Sequence, residues 1–147
     1  MPGIIIIAHE PLASALKSCA QHVYATCPAN IEALDVPAAA DPAATLAQAE
    51  ALLAKVRDAG GALVLTDVFG ATPCNVAQKL AAADVRVLTG VNMPMLLRTV
   101  CYASESVEQL ASRAVAGAVQ GVMQVAYTPP QQQTTKPYDS HGNNSQQ

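Results

Sequence analysis

The chain has 147 residues, 51% hydrophobic and 13% charged, with a formal net charge of −3. That length suits one domain around one core. The sparse, scattered lysines and arginines exclude the basic footprint of a nucleic-acid binder or of a protein held on a membrane surface.

Aromatic residues make up only 3%, and alanine supplies much of the apolar fraction. Small side chains let helices lie close to a sheet, which favours a layered α/β fold over a sandwich or barrel. The four cysteines, Cys19, Cys27, Cys74 and Cys101, form no C-x-x-C pair. They read as reduced, mostly buried thiols of a reducing compartment. The N-terminus lacks the positive region of a signal peptide. No segment approaches the ~20 apolar residues of a membrane helix, so a soluble, cytoplasmic protein is expected.

Ile4-Ile5-Ile6-Ile7 is an unbroken β-branched run, the habit of a strand buried on both faces of a parallel sheet. A helix should begin near Pro11, with Leu12, Leu16, Cys19, Ala20 and Val23 on one face. Cys27-Pro28-Ala29-Asn30 reads as a turn and Ile31 to Leu34 as a weaker strand. Asp41-Pro42 is an N-cap followed by proline at the first helical position. Leu46, Ala49, Leu53 and Val56 stripe that second helix, and Gly60-Gly61 ends it. Ala62 to Thr66 is a third buried strand. Thr72-Pro73 opens a short helix, Val85 to Thr89 is a fourth strand, and a further helix follows around Pro94. Ser106 and Gln109 form a capping box before a stripe of Val107, Leu110, Ala111, Ala114, Val115, Ala118 and Val119. Val122 to Tyr127 reads as a last, edge strand. From Thr128 the composition turns to Pro, Gln, Thr, Ser and Asn, a polar tail (128–147) expected to be disordered.

Strands alternating with helices imply a doubly wound, mainly parallel sheet flanked by helices, within one domain spanning 1–127. The working site of such a sheet lies at the carboxyl ends of its strands. Three loops should therefore converge: Ala8-His9-Glu10, Asp67 to Asn75, and Gly90 to Pro94. His9 sits between a buried strand and a helix start, whose free N–H groups favour an anion. Asp67, leaving the third strand at the matching position, could orient one imidazole nitrogen and leave the other as a nucleophile. Gly70-Ala71-Thr72-Pro73 is a tight turn into a helix, with the Thr72 hydroxyl able to cap that helix or touch a phosphate oxygen. Phosphoryl transfer asks mainly for positioning and charge stabilisation, and this constellation offers both.

The segments Ile7-Ala8-His9-Glu10-Pro11-Leu12-Ala13, Leu65 to Asn75 and Gly90-Val91-Asn92-Met93-Pro94-Met95-Leu96-Leu97 resemble the mannose-type IIA proteins of the bacterial sugar phosphotransferase system. The resemblance runs in order from about Gly3 to Tyr127. It implies a phosphoacceptor histidine at His9, oriented by Asp67. A phosphate-lining loop would run from Gly70 through Ala71 and Thr72 to Pro73, and Asn92, Met93 and Pro94 would border the pocket. It further implies donation by the phosphocarrier protein HPr, transfer to a IIB component, and contact with a membrane only through a permease complex. The final strand, Val122 to Tyr127, would be exchanged in a homodimer. The family pattern is not followed throughout: Glu10 and Ala71 stand where glycine is usual, and the usual Gly-Gly-Ser-Pro-Phe-Asn appears as Gly70-Ala71-Thr72-Pro73-Cys74-Asn75. No cofactor and no metal are expected, since His9, His22 and His141 lie in unrelated contexts.

Two other readings remain open on the residues alone. One is a non-catalytic flavodoxin-like binding or signalling module with an inert His9. A receiver domain phosphorylated on Asp67 is a variant of it, although strand one lacks the acidic pair needed for its metal. The other is an enzyme using Cys74, in the first turn of a helix where the dipole lowers a thiol pKa, with His9 as base.

Overall fold

A computed structural model describes residues 1–27 and 29–130. The elements are β1 (Gly3–His9), α1 (Leu12–Val23), β2 (Ile31–Val36), α2 (Pro42–Val56), β3 (Ala62–Thr66), α3 (Thr72–Gln78), β4 (Val85–Leu88), α4 (Met93–Cys101) and α5 (Val107–Gln120). The four strands form one sheet in the order β2-β1-β3-β4, and every neighbouring pair runs parallel.

The isoleucine run explains why β1 is central. Ile4, Ile5, Ile6 and Ile7 are all fully buried, and side chains alternate across a strand. Ile4 and Ile6 pack with residues of α1, α4 and α5, including Leu16, Leu96, Val100 and Leu110. Ile5 and Ile7 pack on the opposite face with residues of α2 and α3, including Leu53, Val56, Val76 and Ala77. Each buried isoleucine contributes roughly 1.5–3 kcal/mol, so one short segment anchors both layers. The β1-to-β2 connection runs one way along the sheet. The β2-to-β3 connection returns past β1, which puts the switch point between the carboxyl ends of β1 and β3.

Local signals place most boundaries. The Asp41 side chain accepts from Ala44 N at 3.0 Å and caps α2, with Pro42 just inside. Asn92 caps α4 through Met95 N at 2.8 Å. Ser106 Oγ accepts from Gln109 N at 3.3 Å and donates to Gln109 Oε1 at 3.3 Å.

Several expectations need correction. The buried face of α1 is Ala13, Leu16 and Ala20; Leu12, Cys19 and Val23 are exposed. Helix α5 buries Val107, Leu110, Ala114 and Gly117, but Val115 is 46% and Val119 68% exposed. The stripe is wider than the surface that α4 and the sheet offer, and its outer valines reach beyond β4. Only Cys74 among the four free thiols is buried; Cys27 is half-buried, and Cys19 and Cys101 are exposed.

The second strand extends two residues beyond Leu34, to Val36. Val122 to Tyr127 forms no strand within the chain. Val122, Met123, Val125 and Tyr127 are all largely exposed, because the segment leaves α5 without meeting a sheet edge to pair with. The predicted turn includes Pro28, and most of the predicted tail (131–147) likewise lies outside the described residues. Among the described residues no helix is long and apolar enough to cross a membrane.

Candidate functional site

The two loops at the switch point meet. His9 ends β1 and Asp67 directly follows β3, and parallel pairing of these strands brings them side by side. Asp67 Oδ2 lies 2.7 Å from His9 Nδ1 and accepts from the His9 backbone N–H at 2.9 Å. Its Oδ1 accepts from Val68 N at 2.8 Å. Burial pushes the Asp67 carboxyl up, but the hydrogen bonds from His9 and Val68 outweigh it and hold the group below the usual aspartate value. Asp67 is therefore ionised at neutral pH and can only accept, so the imidazole proton belongs on Nδ1. The lone pair is left on Nε2.

The pair is asymmetric in exposure: the side chain of His9 is 51% accessible and that of Asp67 9%. The carboxylate is part of the protein's fabric, and the ring stands open to a large reaction partner. The main chain of Asp67 is itself secured. Its carbonyl accepts from Gly90 N, and that of Thr66 from Val91 N, both at 2.9 Å. The loop after β4 thus braces the loop after β3.

Gly70 lies beside this pair with a φ of +87°, in the left-handed region that favours glycine. It turns the chain sharply into α3. The next residue, Ala71, has φ −94° and ψ 167° and is the N-cap of α3. That is extended backbone open to any residue, so alanine in place of glycine leaves the turn unstrained. Ala71 provides no side-chain cap, and Thr72 and Pro73 are the first helical residues. The Thr72 side chain is exposed, and Pro73 is buried beneath the turn.

The predicted border residues divide. Asn92 stays at the loop that braces Asp67; it caps α4 and its Nδ2 donates to Ala118 O at 3.3 Å, tying α4 to α5. Met93 packs on the core. Pro94 lines a groove with Tyr24, Arg98 and Gly121.

One expectation about chemistry changes. Cys74 is 1% exposed, which denies a substrate access and removes the thiol-nucleophile reading. At the start of α1 one first-turn donor is already taken, because Ser14 N donates to Asp35 at 3.0 Å. Asp35 and Ser14 escaped the sequence reading, since placing the end of β2 at Leu34 left Asp35 in a loop. The exposed pair Val68 and Phe69 beside His9 carried no sequence signal beyond its position after a buried strand.

Residues 3–118 match the family model described as PTS system fructose IIA component. The structure resembles phosphotransferase system component EIIA from Streptococcus agalactiae, 27% identical, with a TM-score of 0.73 over 84% of this chain and 97% of that one. It also resembles the mannose/sorbose specific IIA subunit from Enterococcus faecalis, 25% identical, with a TM-score of 0.75 over 87% and 97%. A PTS IIA protein associated with the fucose utilization operon of Streptococcus pneumoniae, 22% identical, shares the fold with a TM-score of 0.73 over 91% and 96%. No curated protein matches the chain by sequence.

Proposed function

The chain belongs to the mannose/fructose family of phosphotransferase-system IIA components, whose work is phosphoryl transfer in sugar uptake, and we propose that His9 is its phosphoacceptor. The observation that carries this reading is the 2.7 Å contact between His9 Nδ1 and a more deeply buried, ionised Asp67. It aims a free Nε2 at solvent from the switch point of the sheet. Nε2 attacks the phosphorus of a phosphohistidine on HPr, in line with the leaving nitrogen. The new Nε2–P bond forms as the donor's N–P bond breaks. The imidazole becomes positive as it does so, and Asp67, holding Nδ1–H, stabilises that charge. The reverse geometry passes the group to a IIB component.

The half-exposed ring suits a donor that is a whole protein, because no enclosing pocket has to open. The turn Gly70 to Pro73 lines the phosphoryl group, with the Thr72 hydroxyl free to meet an oxygen. Glu10, exposed and next to His9, lies where a donor face must pass. The functional unit is residues 1–127, working in the cytoplasm and reaching the membrane only through its permease partners.

The same reading includes a homodimer in which Val122 to Tyr127 adds to the outer edge of β4 in the other copy. Exposed Val115 and Val119, together with Val122, line a cleft of about 560 Å³ at the end of that edge. An apolar strand would cover it.

Incubation with phosphoenolpyruvate, enzyme I and HPr, followed by intact mass, tests the acceptor. One acid-labile phosphate on the wild type and none on His9→Ala is the expected result. An unmodified wild type beside fully phosphorylated HPr from the same host would sink the reading in favour of an inert binding module.

A further inference from the structure

A second carboxylate grips the segment that carries His9, from the opposite side. On β2, next to β1, Asp35 Oδ1 accepts from Ser14 N at 3.0 Å and Asp35 Oδ2 from Ser14 Oγ at 2.5 Å. One residue further, the Val36 carbonyl accepts from Glu10 N at 3.0 Å. On the β3 side, Asp67 takes His9 N at 2.9 Å and His9 Nδ1 at 2.7 Å. The stretch from His9 to Ser14 is thus held at both ends by carboxylates from the two strands flanking β1. From this stretch each carboxylate takes one main-chain N–H and one side-chain donor.

We propose that Asp35, acting through Ser14, is a positioning residue for phosphoryl acceptance, fixing the turn from which Asp67 orients the His9 ring. The proposal rests on His9 being the acceptor. Its physical basis is the start of α1. Pro11 occupies the N-cap position and makes no side-chain cap, and a proline contributes no N–H. The first-turn donors therefore need an acceptor from elsewhere, and Asp35 provides one to Ser14 N from the neighbouring strand, at the end of the helix where negative charge is favoured.

Ser14 Oγ has a second acceptor within reach, Pro11 O at 3.3 Å, which is local to its own turn. When Asp35 is lost, the hydroxyl turns inward to Pro11 and the helix start is released from β2. Only the Glu10–Val36 main-chain bond then fixes the turn on that side. Displacements near 1 Å at a reacting group can cost about 10²-fold in rate. A loosened turn is expected to lower turnover and leave the encounter with a large donor nearly unchanged.

The test uses the full chain, with two variants and two readouts. The first readout is kcat and KM for phosphoryl uptake from phospho-HPr. The second is the Nδ1–H tautomer fraction of His9, from long-range proton–nitrogen correlations on labelled protein without donor. Asp35→Ala is expected to lower kcat about tenfold with KM within about twofold, and to reduce the Nδ1–H fraction. Ser14→Ala changes no charge and places a good helix former; it should move both readouts the same way by a smaller amount.

A lower melting temperature with kcat and tautomer at wild-type values would reduce Asp35 to a helix cap and overturn the proposal. Should Asp35→Ala fail to fold, unchanged readouts in Ser14→Ala would overturn it alone. If the wild type takes no phosphate, the acceptor reading falls on its own, and the tautomer fraction still decides whether Asp35 positions the ring.

Discussion

The two outer strands of the sheet treat their free edges differently. On β2, Glu32 Oε2 meets Lys55 Nζ of α2 at 2.9 Å, and its Oε1 meets Lys17 Nζ of α1 at 3.6 Å. The two lysines come from opposite layers, so the ionic group straps the outside of β2. Near its start β4 carries one ion pair, Arg86 with Glu108 of α5 at 2.8 Å, but toward its carboxyl end the surface beyond it is apolar. Val87 and Leu88 are only half-buried, and they line a hollow with Val115 and Phe69, the latter 74% exposed. Charge on an edge strand blocks the addition of another strand, whereas a bare apolar edge invites it. The contrast bears on the dimer proposed above: of the two edges, β4 is the one that a strand from a second copy would join with less charge to bury.

The sharpest way to break this comparison is to end the chain after Gly121, which removes Val122 to Tyr127 and leaves both edges in place. The molar mass from light scattering should fall from that of a dimer to that of one chain. Self-association should weaken by at least about hundredfold, because in the proposed dimer the segment would supply the anchors that fill the apolar cleft. A truncated chain that still dimerises tightly would mean that the helix faces hold the dimer and that strand exchange is wrong. A full-length chain of monomeric mass would sink the dimer altogether.

The core was legible because its signals are local and strong. Four consecutive isoleucines can only be a doubly buried strand, and Asp41-Pro42 and Ser106-x-x-Gln109 mark helix starts by their own side chains. His9 and Asp67 were legible because strand alternation and the switch-point rule put them together before any coordinates. What escaped depends on partners distant in sequence. The apolar stripe of α5 looks continuous from Val107 to Val119, and only the position of β4 decides that Val115 and Val119 are left outside. Val122 to Tyr127 has the composition of a strand, but a strand exists only where a neighbouring edge completes its hydrogen bonds. Asp35 was missed because a carboxylate at a strand end looks like any turn residue until Ser14 is seen opposite. Ala71 drew attention as a departure, yet its backbone angles suit any residue.

A smaller effect tests the other edge. Glu32→Val combined with Lys17→Leu and Lys55→Leu removes the strap and makes the β2 edge resemble the β4 edge. Sedimentation velocity should then reveal a concentration-dependent population larger than the dimer, which the wild type lacks at the same concentration. A variant that sediments like the wild type at all concentrations would show that backbone shape or neighbouring loops, and not the ion group, protect β2.

The smallest effect concerns the strap's energy, and its sign follows from the direction of the Glu32 shift. The Lys55 hydrogen bond, opposed by burial and aided by the charge of Lys17, holds the Glu32 carboxyl below the ordinary glutamate value. A lowered carboxylate pKa means that the folded chain holds its proton less tightly than the unfolded chain. The stabilisation is therefore fully present above about pH 4.3, the unfolded value, and is lost as pH falls through the lowered folded value. Lys55 is 65% exposed, so solvent screens the pair and its contribution at pH 7 should be only about 0.5 kcal/mol. Urea unfolding of wild type and Glu32→Gln should show that gap at pH 7, a smaller gap in 1 M salt as screening grows, and none at low pH. A gap that persists unchanged from pH 7 to about pH 3 would assign the difference to packing of the glutamate stem. The barrier on β2 would then be steric, and the contrast with β4 would rest on shape rather than on charge.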